Sequence, residues 1–142
     1  MSGVFEKADR LHKRAWFFFI GSVDGGGFPN IKAVLPSKHR ERLNELYFST
    51  NTSSKHVQQF RANPRGCVYF FSIFNFKGVL LRGSFEVLQD RETRERFWRK
   101  GDEQYYPRGI ADPDYCILKF TAQTGRYYCS YKSEDFSFGQ QD

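Results

Sequence analysis

A chain of 142 residues is long enough to bury a core without disulfide or metal staples, and it fits one domain, residues 1–142. Aromatic residues make up 18% of it, with 16 Phe and 8 Tyr against one Met, a balance that favours pleated, half-buried strands over helical bundles. The net charge of +6 attracts anions, yet outside residues 38–42 and 91–100 the basic side chains are scattered, so no long polybasic tract argues for nucleic acid.

Val4, Phe5, Ala8 and Leu11 recur at helical spacing, so residues 1–14 read as an opening helix. Ala15 to Val23 and Phe28 to Leu35 flank Asp24-Gly25-Gly26-Gly27 and read as a β-hairpin. This glycine run lacks the lysine and following helix of a phosphate loop. A third strand, Leu46 to Thr50, runs into the polar segment Asn51 to Ser54 and a helix through Phe60 that Asn63-Pro64 ends. Gly66 to Phe74 and Phe76 to Leu88 form a second hairpin about Asn75. Asp90 caps a helix that Gly101 stops. Asp114 to Thr121 and Arg126 to Tyr131 follow as two strands joined by a turn at Gln123-Thr124-Gly125, and residues 132–142 read as a polar tail. The expected fold is mainly β: six to seven antiparallel strands in a closed or split barrel, with about three short connecting helices.

Three cysteines without a C-x-x-C pair suit a reducing compartment, and the expected location is cytoplasmic. The longest early apolar run, Ala15 to Ile20, is too short to span a bilayer, which argues against a membrane protein. His12, His39 and His56 do not fall at metal-ligand spacing with cysteines or carboxylates, so no metal is expected and the three read as solvated surface residues.

The segment Phe48-Ser49-Thr50-Asn51-Thr52-Ser53-Ser54-Lys55 places hydroxyls and a lysine where a helix begins. Helix N-termini carry unpaired N–H groups and partial positive charge, so two readings stand: a phosphate site, or plain capping by Thr52 or Ser53. Lys32 alternates with Ile31, Ala33 and Leu35; taken alone it reads as a solvent-facing charge, although from its strand it has the reach for the same phosphate.

Lys32-Ala33-Val34-Leu35, then Tyr47-Phe48-Ser49-Thr50, then Ser54-Lys55, resembles the FMN-binding pattern of the pyridoxamine 5'-phosphate oxidase-like split-barrel superfamily. The later blocks, Val79 to Gly83, Asp90 to Trp98, Tyr106 to Gly109 and Asp112 to Asp114, are similar to its general stress protein 26-like branch. The resemblance spans about residues 8–131 and implies an FMN-binding split barrel acting as a homodimer, with two FMN sites at the interface.

By position, Lys32, Ser49, Thr50, Ser54 and Lys55 would hold the ribityl phosphate, while Ala33, Val34 and Phe48 would lie along the flavin ring. Trp98 and Tyr106 would close the site from the partner subunit, with a core anchor as the favoured role of Trp98. The implied activity is that of an FMN-dependent oxidoreductase using a nicotinamide or small organic substrate, with no catalytic side chain nominated. The alternatives are a flavin store or stress-response sensor without turnover, or the same barrel holding F420 or haem. No histidine follows His56 to grip a pyridoxal substrate, so a true pyridoxamine 5'-phosphate oxidase is not expected. A nucleic-acid module stacking bases on Phe74 and Phe76 ranks last, because aromatics on long strands are more often core.

Overall fold

The computed structural model describes residues 3–40 and 42–138. Helix α1 (Val4–Arg14) is followed by β1 (Phe18–Val23), β2 (Pro29–Val34) and β3 (Glu45–Asn51). Then come α2 (Lys55–Ala62), β4 (Arg65–Ser72), β5 (Lys77–Leu88) and α3 (Arg91–Phe97), two single 3-10 turns, β6 (Tyr115–Cys129) and β7 (Lys132–Ser137). Among the described residues the seven strands form one antiparallel sheet in the order β2-β1-β4-β5-β6-β3, with β7 also paired to β6. Residues 1–2 of the expected opening helix and 139–142 of the expected tail lie outside the described residues.

Local chemistry sets the elements. Asp24 closes the β1–β2 hairpin: its Oδ1 accepts from the N–H groups of Gly26 and Phe28, both at 2.9 Å, and Gly27 takes the left-handed conformation that a side chain resists. Asp90 caps α3 by accepting from Thr93 N–H at 3.0 Å. Inward-facing residues of the strands, among them Phe18, Ile20, Phe48, Phe70, Leu81 and Phe120, fill the core and are nearly inaccessible. Ala8 and Leu11 seal one end of it from α1.

Two expectations at the C-terminal end are corrected. Gln123-Thr124-Gly125 is not a turn, because β6 runs unbroken through it with only a register shift opposite Arg82 and Gly83. A Cβ on Gly125 would collide with the Phe136 ring, so this glycine admits an aromatic from the neighbouring strand. The turn falls at Ser130 and Tyr131, whose φ angles of 53° and 64° suit a two-residue hairpin. The polar tail is a strand over Lys132–Ser137: its charged side chains face solvent, while Phe136 and Phe138 make edge-on contacts with Phe5 at 6.3 and 5.7 Å. Polarity concealed it because β7 is an edge strand with two apolar anchors.

The second hairpin turns over residues 73–76, so Phe74 and Phe76 are each 85% exposed and not core. The histidines also differ from expectation, since His12 and His56 are buried.

At the register shift, a Cβ on Gly83 would meet the Thr121 carbonyl oxygen. Gly83→Ala is therefore expected to lower stability by about 1–3 kcal/mol, while Gly25→Ala, with open space around it, stays near neutral. Chemical denaturation checks the pair.

Candidate functional site

The alternation along β3 sends Phe48 and Thr50 inward and Ser49 outward. After Asn51 the chain turns and enters α2 with Ser54 as N-cap: Ser54 Oγ accepts from Val57 N–H at 3.4 Å and donates to the Asn51 carbonyl at 2.7 Å. The cap is Ser54 and not Thr52 or Ser53, because those two are engaged elsewhere. Asp114, just ahead of β6, accepts from Asn51 Nδ2 at 2.7 Å and Ser53 N–H at 2.8 Å, and its Oδ1 lies 3.0 Å from Thr52 Oγ1. The Asn51 amide foremost, with the Ser53 and Thr52 donors, holds the Asp114 carboxyl down at about 2.

His56 sits beneath this turn, with Nε2 2.8 Å from Thr50 Oγ1 and 3.1 Å from Ser54 Oγ. Burial, then the nearby Lys32 ammonium, holds its pKa below the ordinary histidine value. Thr50, Ser54 and Lys32 thus gather around one neutral imidazole. Lys55, the first residue of α2, is exposed at the same helix start. The first turns of α1 and α3 each carry a glutamate, Glu6 and Glu92, whereas that of α2 carries no acid. Two lysines and two hydroxyls at a helix whose own first turn carries no acid form a set that suits a phosphate, the neighbouring Asp114 carboxylate being engaged by Asn51, Thr52 and Ser53.

The remaining sequence candidates lie elsewhere. Ser49 points out of the barrel, within hydrogen-bonding reach of the Tyr115 phenol. Phe48 lies in the core, so only its backbone borders the β3 surface. Ala33 is exposed, and Val34 packs partly against the core from β2. Trp98 and Tyr106 pack on Tyr115, with ring centroids 5.2 and 4.7 Å away, and Tyr106 is buried within the chain. Their surroundings make both of them part of a small satellite core beside α3. Beyond β2, Arg99 donates to the Pro36 carbonyl at 2.8 Å and Lys38 to that of Trp98 at 3.1 Å. These bonds hold a shallow depression between Trp16, Leu35 and Arg40.

Sequence reasoning missed His56 and Asp114 as parts of this region. The signal for His56 was its place two residues after Ser54, where a helix turns its second side chain back under the cap. Asp114 is 60 residues distant in the chain, and only the β3–β6 pairing brings it to the turn. Among the described residues no three His, Cys, Asp or Glu side chains gather as metal ligands, and no helix is long and apolar enough to cross a membrane. The three cysteines are free, and burial pushes the Cys116 thiol up to about 12.

Comparison with known proteins identifies this architecture. The family model described as pyridoxamine 5'-phosphate oxidase matches residues 5–129, and the chain belongs to that family. Within it the chain falls in the general stress protein 26-like branch. A Clostridium acetobutylicum protein related to general stress protein 26 of B. subtilis is 38% identical, with 94% of this chain and 93% of that one covered and a TM-score of 0.83. Two more distant structures share the fold. A pyridoxamine 5'-phosphate oxidase-related, FMN-binding protein from Nostoc punctiforme is 13% identical, covering 98% and 100% of the two chains, with a TM-score of 0.63. A haem-binding protein from Mycobacterium smegmatis is 14% identical, covering 96% of this chain and 59% of that one, with a TM-score of 0.76. No curated protein matches the chain.

Removing the clamp by Asp114→Asn is expected to speed amide exchange at Ser53 about tenfold or more, since the bond lost is charge-assisted. Exchange monitored by NMR at neutral pH reads this directly.

His12, like His56, is held below the ordinary histidine value, chiefly by burial. The unfolded chain takes up protons from about pH 6.5 downward, whereas the folded chain resists them, so stability falls on acidification through that window. The drop in Tm between pH 7 and about 5.5 is expected to be smaller in a His12→Gln/His56→Gln variant than in the natural chain. Parallel drops would contradict the assignment.

Proposed function

We propose that the chain is an FMN-binding flavoprotein that acts as a homodimer, with FMN serving an oxidoreductase reaction on a nicotinamide or small organic substrate. The observation that carries the reading is the gathering of Lys32, Thr50 and Ser54 around His56, beside Lys55, at a helix whose own first turn carries no acid. In this reading Lys32 and Lys55 neutralise the phosphate, Thr50 and Ser54 border it, and the Ala33–Val34 backbone runs beside the ring. When bound, FMN supplies two-electron redox chemistry that no side chain of the site offers. His56 fixes the hydroxyls, and Asp114 fixes the turn that presents them.

Exposed aromatic and aliphatic surface supports dimerisation. The register puts Phe19, Ala33, Tyr69 and Leu80 on one outer face of β2-β1-β4-β5. Ile31 and Leu35 continue it from the β2 edge at 78% and 69% exposed. Apolar patches of this kind mark interaction sites, and a second copy offering the same strip would cover it. Three free cysteines are compatible with a reducing cytoplasm.

After reconstitution and desalting, the natural chain is expected to retain FMN in its visible spectrum. Lys32→Ala/Lys55→Ala is expected to bind it about a hundredfold or more weakly, two charge-assisted contacts being lost. Equal retention by both would sink the phosphate assignment. Anaerobic bleaching of the bound flavin by NADH or NADPH separates an oxidoreductase from a flavin store.

A further inference from the structure

A cavity of about 920 Å³ opens between α1, the residues that lead into β1, the β4–β5 turn and the β6–β7 hairpin. Its volume lies in the range of small-molecule sites, and none of the residues assigned above to phosphate binding lines it. Five cationic side chains stand round it: Lys7, Arg10 and Arg14 from one face of α1, Lys77 from the start of β5 and Lys132 from β7. The spacing of the helical three, at i, i+3 and i+7, places them in one row above the rim. Among the described residues, Glu134 is the one carboxylate in the lining. Of the two acids of α1, Glu6 and Asp9, neither lines the cavity, and Asp9 pairs with Lys13 at 3.2 Å.

The walls between these charges are aromatic. Trp16 and Phe17 rise from the entry to β1, and Phe71 and Phe74 from the end of β4 and its turn. Trp16 and Phe74 are 74% and 85% exposed, a standing cost in water that a flat apolar ligand would relieve. A ring against these faces would leave an acidic substituent among the guanidinium and ammonium groups, where charge-assisted bonds are strongest.

We infer that this cavity is a binding site for a small organic anion carrying an aromatic ring, such as an aryl carboxylate. The site stands independently of the flavin reading, since it shares no residue with the Lys32, Thr50, Ser54 and Lys55 cluster. It also accounts for part of the chain's positive charge, since five cationic side chains line one concavity.

The test is isothermal titration calorimetry with 2-naphthoate as probe and 2-naphthylmethanol as its uncharged counterpart, on the full chain with and without saturating FMN. Naphthoate is expected to bind saturably, one per chain, at least about tenfold tighter than the alcohol, and to weaken with added salt. Arg14→Glu/Lys132→Glu, both exposed positions, is expected to lose about tenfold or more and to abolish the preference for the acid. Trp16→Leu is expected to weaken both probes. Lys32→Ala/Lys55→Ala should leave naphthoate binding unchanged, whether or not it has lost FMN. The assignment is overturned by equal affinity for acid and alcohol, by unchanged binding in the charge-reversed variant, or by displacement of naphthoate by FMN. Displacement by oligothymidylate would overturn it in favour of a nucleic-acid surface, and absence of binding at millimolar naphthoate would overturn it outright.

Discussion

The structure depends on β6 being paired along both of its edges. One edge binds β5 through residues 117–128, and the other binds β3 through residues 115–121 and then β7 through residues 124–129. Because each pairing is antiparallel, with one register slip opposite Arg82 and Gly83, the three strands that pair with β6 take their positions from it. The same strand places residues at both of the proposed sites. Asp114 at its beginning grips the β3–α2 turn, while Tyr127 and Cys129 at its far end line the basic cavity.

In the proposed reading, the cradle at the start of α2 is an anion site built without a dedicated binding loop. A strand ending in Thr50 must turn into a helix, and the turn is held by a carboxylate from another strand, leaving the helix start to the cap Ser54 and the lysines. A neutral histidine beneath is better suited than a charged one, since it orients hydroxyls without the desolvation cost of a buried cation. Lys32 reaches the cradle because the β1–β2 hairpin sets it opposite Ile20, on the inward-facing side of an edge strand. The FMN-binding and haem-binding relatives of this fold show that one barrel supports different ligands, so the residues at the cradle carry the functional reading and the barrel does not.

Strand and helix identities were legible where the pattern was local. Alternating aromatics, the Asp24 turn and the Asp90 cap each announce themselves within a few residues. The C-terminal errors arose where a residue type has two uses. Gly125 reads as a turn, yet it sits in a strand because Phe136 needs the space. Lys132–Ser137 reads as a tail, yet pairs with β6 because an edge strand tolerates charge on its exposed face. Of the candidate site, the lysines and hydroxyls were visible as a motif, while their partners were not. Asp114 and His56 act through contacts that only the folded backbone creates. Ser49 and Thr50 are adjacent in the motif but lie on opposite faces of β3, a separation that period-two geometry makes unavoidable.

The comparison of FMN with riboflavin tests the proposed phosphate recognition at the β3–α2 junction most directly, because the two ligands differ only in the phosphate. Titrated by fluorescence quenching under identical conditions, FMN is expected to bind about a hundredfold or more tightly than riboflavin, as two or more charge-assisted contacts require. Equal affinity for the two would contradict a phosphate cradle at Lys32, Thr50, Ser54 and Lys55.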